Sequence, residues 1–195
     1  MLPYRMIYNR FNLIETIKKI DNVELIYDIA NSFNKTQEES KTWLAEYLPS
    51  SLPDTAKVLV AAGWYGLMAQ TIFHKLRCSV TSFDMNPDCE KWGIQLFDSI
   101  YFQTSKVEDF NCSKYDVIVS TSCEHFTDEV LNKFLEKRKK HSRVYLQSNN
   151  FYDDPTHVNC KSSVEEFAAS VNLDIIKTDT LQLDYGFDRY LVIGK

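Results

Sequence analysis

The sequence predicts an α/β fold: an open, mostly parallel sheet with helices on both faces, ended by an antiparallel hairpin. Three observations lead there. From residue 57 onward, short apolar runs of strand length alternate with helical stretches. One of them, VLVAAGWYGLMA (58–69), passes from a strand through a glycine-bearing turn into a helix. Further on, DTLQLD and RYLVIGK flank Tyr185-Gly186, a turn signal between two strand-like runs. With five earlier strands, this hairpin makes a sheet of seven.

Residues 1–53 read as a helical extension ahead of an α/β domain over 54–195. Leu13, Ile17 and Ile20 share one helical face. Asp21, three residues before Glu24, is an Asx form of the capping signal, and Leu25, Ile26, Ile29, Ala30 and Phe33 follow at helical spacing. Thr36 and Glu39 form a capping box for a helix whose face is Trp43, Leu44, Tyr47 and Leu48. Pro53 ends the region.

The strands are expected at 57–62, 79–84, 99–104, 115–121 and 143–148. YDVIVST is apolar almost throughout, as a central parallel strand should be. Helices are expected at 66–76, around 89–97, at 127–140 with Val130, Leu131, Phe134 and Leu135 inward, and at 163–171.

Composition narrows the function. The chain has 195 residues, 44% of them hydrophobic, enough for a substantial core. A net charge of −5 disfavours non-specific nucleic-acid binding, which needs a basic surface. The basic run EKRKKHSR (136–143) suits a solvated helix end complementing its dipole, or else a phosphate-contacting patch. No apolar stretch approaches the roughly 18 residues of a membrane span, and no secretory leader is evident. The five cysteines form no CxxC pair, so free thiols and a cytoplasmic setting are expected.

In an open α/β sheet, ligands bind beyond the carboxyl ends of the strands. The loops at 61–66, 84–88, 104–109, 120–126 and 148–160 are therefore the places to look. In AAGWYG, small residues let the backbone approach a ligand, and the following helix offers free N–H groups. The loop lacks G-x-G-x-x-G, which disfavours NAD and FAD; Gly63 and Gly66 also suit a plain tight turn. Asp84 follows Gly63 by 21 residues, the distance at which a carboxylate reaches a ribose in nucleotide-binding βαβ units. It also suits a turn before Asn86-Pro87.

The order of a helix-rich N-terminus, VLVAAGWYGLMA, FDMNP, YDVIVSTSCEHF and a terminal hairpin resembles the class I, Rossmann-like S-adenosylmethionine-dependent methyltransferases over roughly residues 57–195. That resemblance implies S-adenosylmethionine as cofactor. Ala62, Gly63, Trp64 and Gly66 would cup its methionine end, with Asp84 and Met85 at the ribose. Three departures stand out: Val60 lies near the family's usual acidic position, and Ala62 and Trp64 occupy two of its three glycine positions.

The resemblance also implies that STSCEHF meets the substrate. Similar Glu-His pairs stand there in many members acting on small molecules, and the Asn/Asp-Pro-Pro-aromatic motif of the amino-methylating DNA enzymes is missing. Glu124 or His125 is the candidate general base, with Cys123 beside them at the substrate. Cys123 could instead be a covalent nucleophile, although Ser122 replaces the proline that pyrimidine C5-methyltransferases place before theirs. Alternatively Glu124 caps the next helix and His125 packs under the loop.

The long polar loop QSNNFYDDPTHVNC offers Asn149, Asn150, Tyr152 and His157 for a small polar substrate. Cys123, His125, His157 and Cys160 could make a zinc site, but C-x-H and H-x-x-C are unusual zinc spacings, so no metal ligand is assigned. A protein that keeps this fold for binding, without transfer activity, is the alternative function.

Overall fold

A computed structural model describes residues 10–195. Three helices come first: α1 (Arg10–Ile17), α2 (Val23–Asn31) and α3 (Lys35–Tyr47). The alternating part follows as β1 (Lys57–Ala61), α4 (Leu67–Leu76), β2 (Ser79–Asp84), α5 (Pro87–Leu96), β3 (Tyr101–Thr104) and β4 (Val117–Ser120). A 3-10 turn (Cys123–His125) then leads to α6 (Asp128–Glu136), β5 (Arg143–Asn149), α7 (Val164–Ser170), β6 (Ile175–Gln182) and β7 (Asp188–Gly194).

The seven strands form one sheet in the order β3-β2-β1-β4-β5-β7-β6. The first five are parallel; β7 is antiparallel to both β5 and β6. Strand order turns back between β1 and β4, which opens a crevice at their carboxyl ends.

Alternate residues of each buried strand feed two cores. Val58 and Val60 face one with Ile29, Leu44, Tyr65, Met68, Ile72 and Trp92; Leu59 and Ala61 face the other with Phe83, Ile118, Leu131, Phe134 and Phe167. Helices α2 and α3 thus share the first core with the sheet. Gln147 Nε2 also donates to the Ser40 carbonyl of α3 at 3.0 Å.

Several boundaries differ from the sequence reading. The cap of α2 is Asn22, accepting from Leu25 N–H at 3.1 Å, where Asp21 was expected. The cap of α3 is Asn34, accepting from Gln37 N–H at 2.9 Å; Thr36 lies inside the helix. Both asparagines have the extended backbone a cap requires. Helix α6 stops at Glu136 rather than 140. Two of the lysines beyond it are held by tertiary partners: Lys137 donates to the Phe110 carbonyl at 3.3 Å and Lys139 pairs with Asp116 at 2.7 Å. Strand β6 starts at Ile175, ahead of the expected 179, and pairs with β7 along its length.

Candidate active site

Four segments meet at the crevice: the loop after β1, the end of β2, the turn after β4 and the loop after β5. In the first, Ala62 and Trp64 have φ of 48° and 50°, and Gly66 has 93°. The left-handed region favours glycine, yet an alanine and a tryptophan occupy it here. The loop therefore takes a glycine-like path without the glycines. Two glycines remain where packing requires them. A Cβ on Gly63 would lie 2.0 Å from Ser82 Oγ, and one on Gly66 would lie 2.5 Å from the Phe102 ring.

Several bonds fix this loop. Gly63 N–H donates to the Phe83 carbonyl at 3.0 Å, binding the loop to the end of β2. Tyr65 points the other way: its buried ring passes under the loop and its hydroxyl donates to Asp28 of α2 at 2.7 Å. Burial, then the Asp28 carboxylate, push the Tyr65 phenol far above its ordinary range. Trp64 is half-buried against the first core beside Tyr65.

Asp84 closes β2 opposite this loop. Its two carboxylate oxygens accept from Trp64 N–H and Asn86 N–H, each at 3.0 Å. Burial raises its pKa, opposed by these backbone donors and, more weakly, by the charge of His125. Met85 is 69% exposed on the rim of the crevice.

After β4, Glu124 turns inward. It is 3% exposed, and its Oε1 accepts from Arg189 Nη1 and from Asn149 Nδ2, both at 2.7 Å. Arg189 reaches it because antiparallel β7 runs beside β5 with Arg189 opposite Asn149. A second guanidinium nitrogen donates to the Thr121 carbonyl at 3.1 Å. Lys41 of α3 is buried nearby and held by Gln37. Burial, with the charge of Arg189, pushes its amine down to about 7, against the opposing charge of Glu124.

His125 and His157 cover this cluster from the crevice side. Their rings meet edge to face at 4.8 Å. His125 Nδ1 bonds the Thr156 carbonyl at 3.0 Å, and His157 Nδ1 bonds the Phe151 carbonyl at 2.7 Å. His157 Nε2 lies 3.9 Å from Glu124 Oε1 and from Asp154 Oδ2.

The structure thus brings Glu124, His125, Asn149 and His157 together. Asn150 instead braces the strand end, accepting from Asp188 N–H at 2.7 Å, and Tyr152 stands out at 62% exposure. Cys123 is enclosed in the second core, and burial pushes its thiol up to about 12. That leaves too little thiolate for the covalent role. Neither cysteine completes a zinc set: Cys123 Sγ turns to the Ser120 carbonyl, and Cys160 Sγ lies 3.7 Å from His157 on the Nδ1 side. Sequence reasoning passed over Arg189 and Lys41, and gave Tyr65, a bulky residue in the loop after β1, no role. Arg189 carried a signal, being a lone charge in the apolar run RYLVIG.

No protein-family model and no curated protein sequence matches the chain. Solved structures do match it in shape. Mitomycin 7-O-methyltransferase superposes with a TM-score of 0.65 at 15% identity, over 94% of this chain. The chain spans 60% of that protein's length. Geranyl diphosphate C-methyltransferase from Streptomyces coelicolor A3(2) gives 0.64 at 12% identity, over 90% of this chain and 86% of its own. The cyclase SpnF gives 0.64 at 9% identity, over 82% and 81%. At such identities the likeness is one of fold. The chain has the Rossmann-like fold of the class I S-adenosylmethionine-dependent methyltransferases.

Proposed function

We propose that the protein is an S-adenosylmethionine-dependent methyltransferase acting on a small polar substrate in the cytoplasm. The observation that carries this is the pairing of Asp84 with a loop that keeps a glycine-like backbone at Ala62 and Trp64. An acceptor carboxylate at the end of β2 suits two ribose hydroxyls. The backbone of residues 62–66 would hold the methionine end, with Trp64 walling one side and Met85 lying over the adenosine. Complexes of geranyl diphosphate methyltransferases with S-adenosylmethionine and S-adenosylhomocysteine support this choice of cofactor.

In this reading the enzyme mainly aligns a nucleophile with a methyl group that already has a good leaving group. His125 is exposed and its Nδ1 is taken by the Thr156 carbonyl, so Nε2 is the atom that would meet the substrate. Glu124 is enclosed by Arg189 and Asn149, so its part is to hold the turn that carries His125. Asn150, Tyr152 and His157 would contact the substrate from the loop after β5, and Cys123 would back the turn from inside. The N-terminal helices would form one wall of the pocket.

A second reading, a fold kept for binding without methyl transfer, is favoured by Trp64 at a glycine position. The likeness to a cyclase supports treating fold and reaction separately. Calorimetric titration with S-adenosylmethionine and S-adenosylhomocysteine, with NAD and ATP as controls, separates the readings. Selective micromolar binding is expected. Asp84→Ala should weaken it by more than tenfold, because each lost charge-assisted bond is worth about 1.5–3 kcal/mol. Unchanged affinity in a folded variant would remove Asp84 from the site, and no binding by the unaltered chain would favour the second reading.

A further inference from the structure

We propose that Glu124, His125 and His157 hold a divalent transition-metal ion. This is independent of the methyl-transfer reading and rests on three features of the cluster.

The first is convergence. One ligand atom from each residue lies within 4.8 Å of those of the other two, although they come from two different loops. Metal–ligand bonds of about 2.0–2.2 Å would draw these atoms closer by one to two ångströms. The exposed His125 side chain has room for that movement.

The second is the orientation of the imidazoles. Both Nδ1 atoms bond backbone carbonyls, at 3.0 Å and 2.7 Å. A carbonyl only accepts, so each Nδ1 carries the hydrogen. Each neutral ring then keeps its lone pair on Nε2, and that of His157 lies 3.9 Å from Glu124 Oε1. Such outer hydrogen bonds fix the tautomer and direction of metal-binding histidines.

The third is an orphaned oxygen. Arg189 and Asn149 both bond Glu124 Oε1, while Oε2 is buried without any hydrogen-bond partner. A buried carboxylate oxygen left this way is costly; the oxygen nearest His157 Nε2 is Oε1, at 3.9 Å, so a modest turn of the carboxylate would bring Oε2 to the ion and satisfy it. Arg189 gives Nη1 to the other oxygen and Nη2 to the Thr121 carbonyl, and its Nε is buried without a partner. Asp154, 3.9 Å from His157 Nε2, adds negative charge on the crevice side.

Two imidazoles and one carboxylate select zinc, iron(II), manganese(II) or cobalt(II) over magnesium and calcium, which prefer all-oxygen sites. Three protein ligands leave coordination positions open for water or a substrate oxygen. With the ion bound, His125 Nε2 is a ligand and not a proton acceptor.

Cobalt(II) is the probe of choice, titrated into the metal-stripped full-length chain without cofactor. Visible absorption should report one ion per chain, and the melting temperature should rise with cobalt(II). Zinc should displace the signal. His125→Ala should weaken cobalt binding by more than about tenfold. His157→Gln should do the same, while His141→Ala, an exposed histidine elsewhere, should not. Because His125 is exposed, its variant tests the site even where a change at buried Glu124 or at His157 prevents folding. No stoichiometric cobalt binding, or equal affinity in folded His125→Ala, would overturn the proposal.

Discussion

Gly66 shows how much one position can carry. Its φ of 93° and its closeness to Phe102 each exclude a side chain. Gly66→Ala should therefore destabilise the protein by about 2–4 kcal/mol, the sum of left-handed strain and overpacking, read as a lower denaturant midpoint at unchanged slope. Ala62 and Trp64 also have positive φ, but at 48° and 50° they lie in the left-handed well that side chains can enter, whereas 93° at Gly66 lies beyond it. Glu124 and Arg189 illustrate a different dependence. Arg189→Met leaves a buried carboxylate uncompensated and should cost about 3–5 kcal/mol. Adding Glu124→Gln should recover part of that loss, so a double-mutant cycle in urea should give a clearly non-additive pair. Additive effects would mean that the two side chains do not depend on one another.

At the level of elements, the N-terminal helices are tied to the loop after β1. Tyr65 lies between Trp64 and Gly66 and bonds Asp28 in α2. Tyr65→Phe keeps the ring in the core and removes only the hydroxyl. We expect a loss of about 1.5–3 kcal/mol and faster hydrogen exchange in α2 amides, while β1 and β4 stay protected. Exchange unchanged in α2 would show that packing alone holds the helix. The alternation of strands and helices was legible because it depends on local periodicity. Helix caps were legible only to within a residue or two. Asp21 and Asn22 are both good acceptors, and only the backbone angle at Asn22 decides between them. The expected capping box at Thr36 lost to Asn34 for the same reason.

For the whole molecule, Lys41 makes stability depend on pH. Burial favours its uncharged amine, so the folded chain releases the proton near pH 7, while the unfolded chain keeps it to about 10.5. Between those values the unfolded state binds more protons, and stability should rise with pH by up to about 1.4 kcal/mol per unit. Below pH 7 both states are charged and the full cost of burial applies. Lys41→Met should flatten this rise in denaturation curves taken at about pH 7 and about pH 9.5. This cluster is also where sequence reading stopped short. Lys41, Glu124 and Arg189 come from α3, the turn after β4 and β7, and only the sheet order β5-β7-β6 brings Arg189 to Glu124. Glu124 and His125 were visible as candidates by their place after a central strand. The partner that turns Glu124 inward lies 65 residues away.

That separation has a kinetic side. Strand β7 follows β6 in the chain but inserts between β6 and β5. The hairpin must form first, or β7 must thread into place, before β5 loses its open edge. Until then Glu124 has no guanidinium, and Asn149 has no strand beside it. Contacts so distant in sequence are slow to form, because loop closure precedes the gain from pairing. The crevice should thus be among the last regions to take shape in refolding, well after the β1-β2-β4 centre. An intermediate at that stage would present an unpaired parallel edge, the part of the molecule most prone to join another copy.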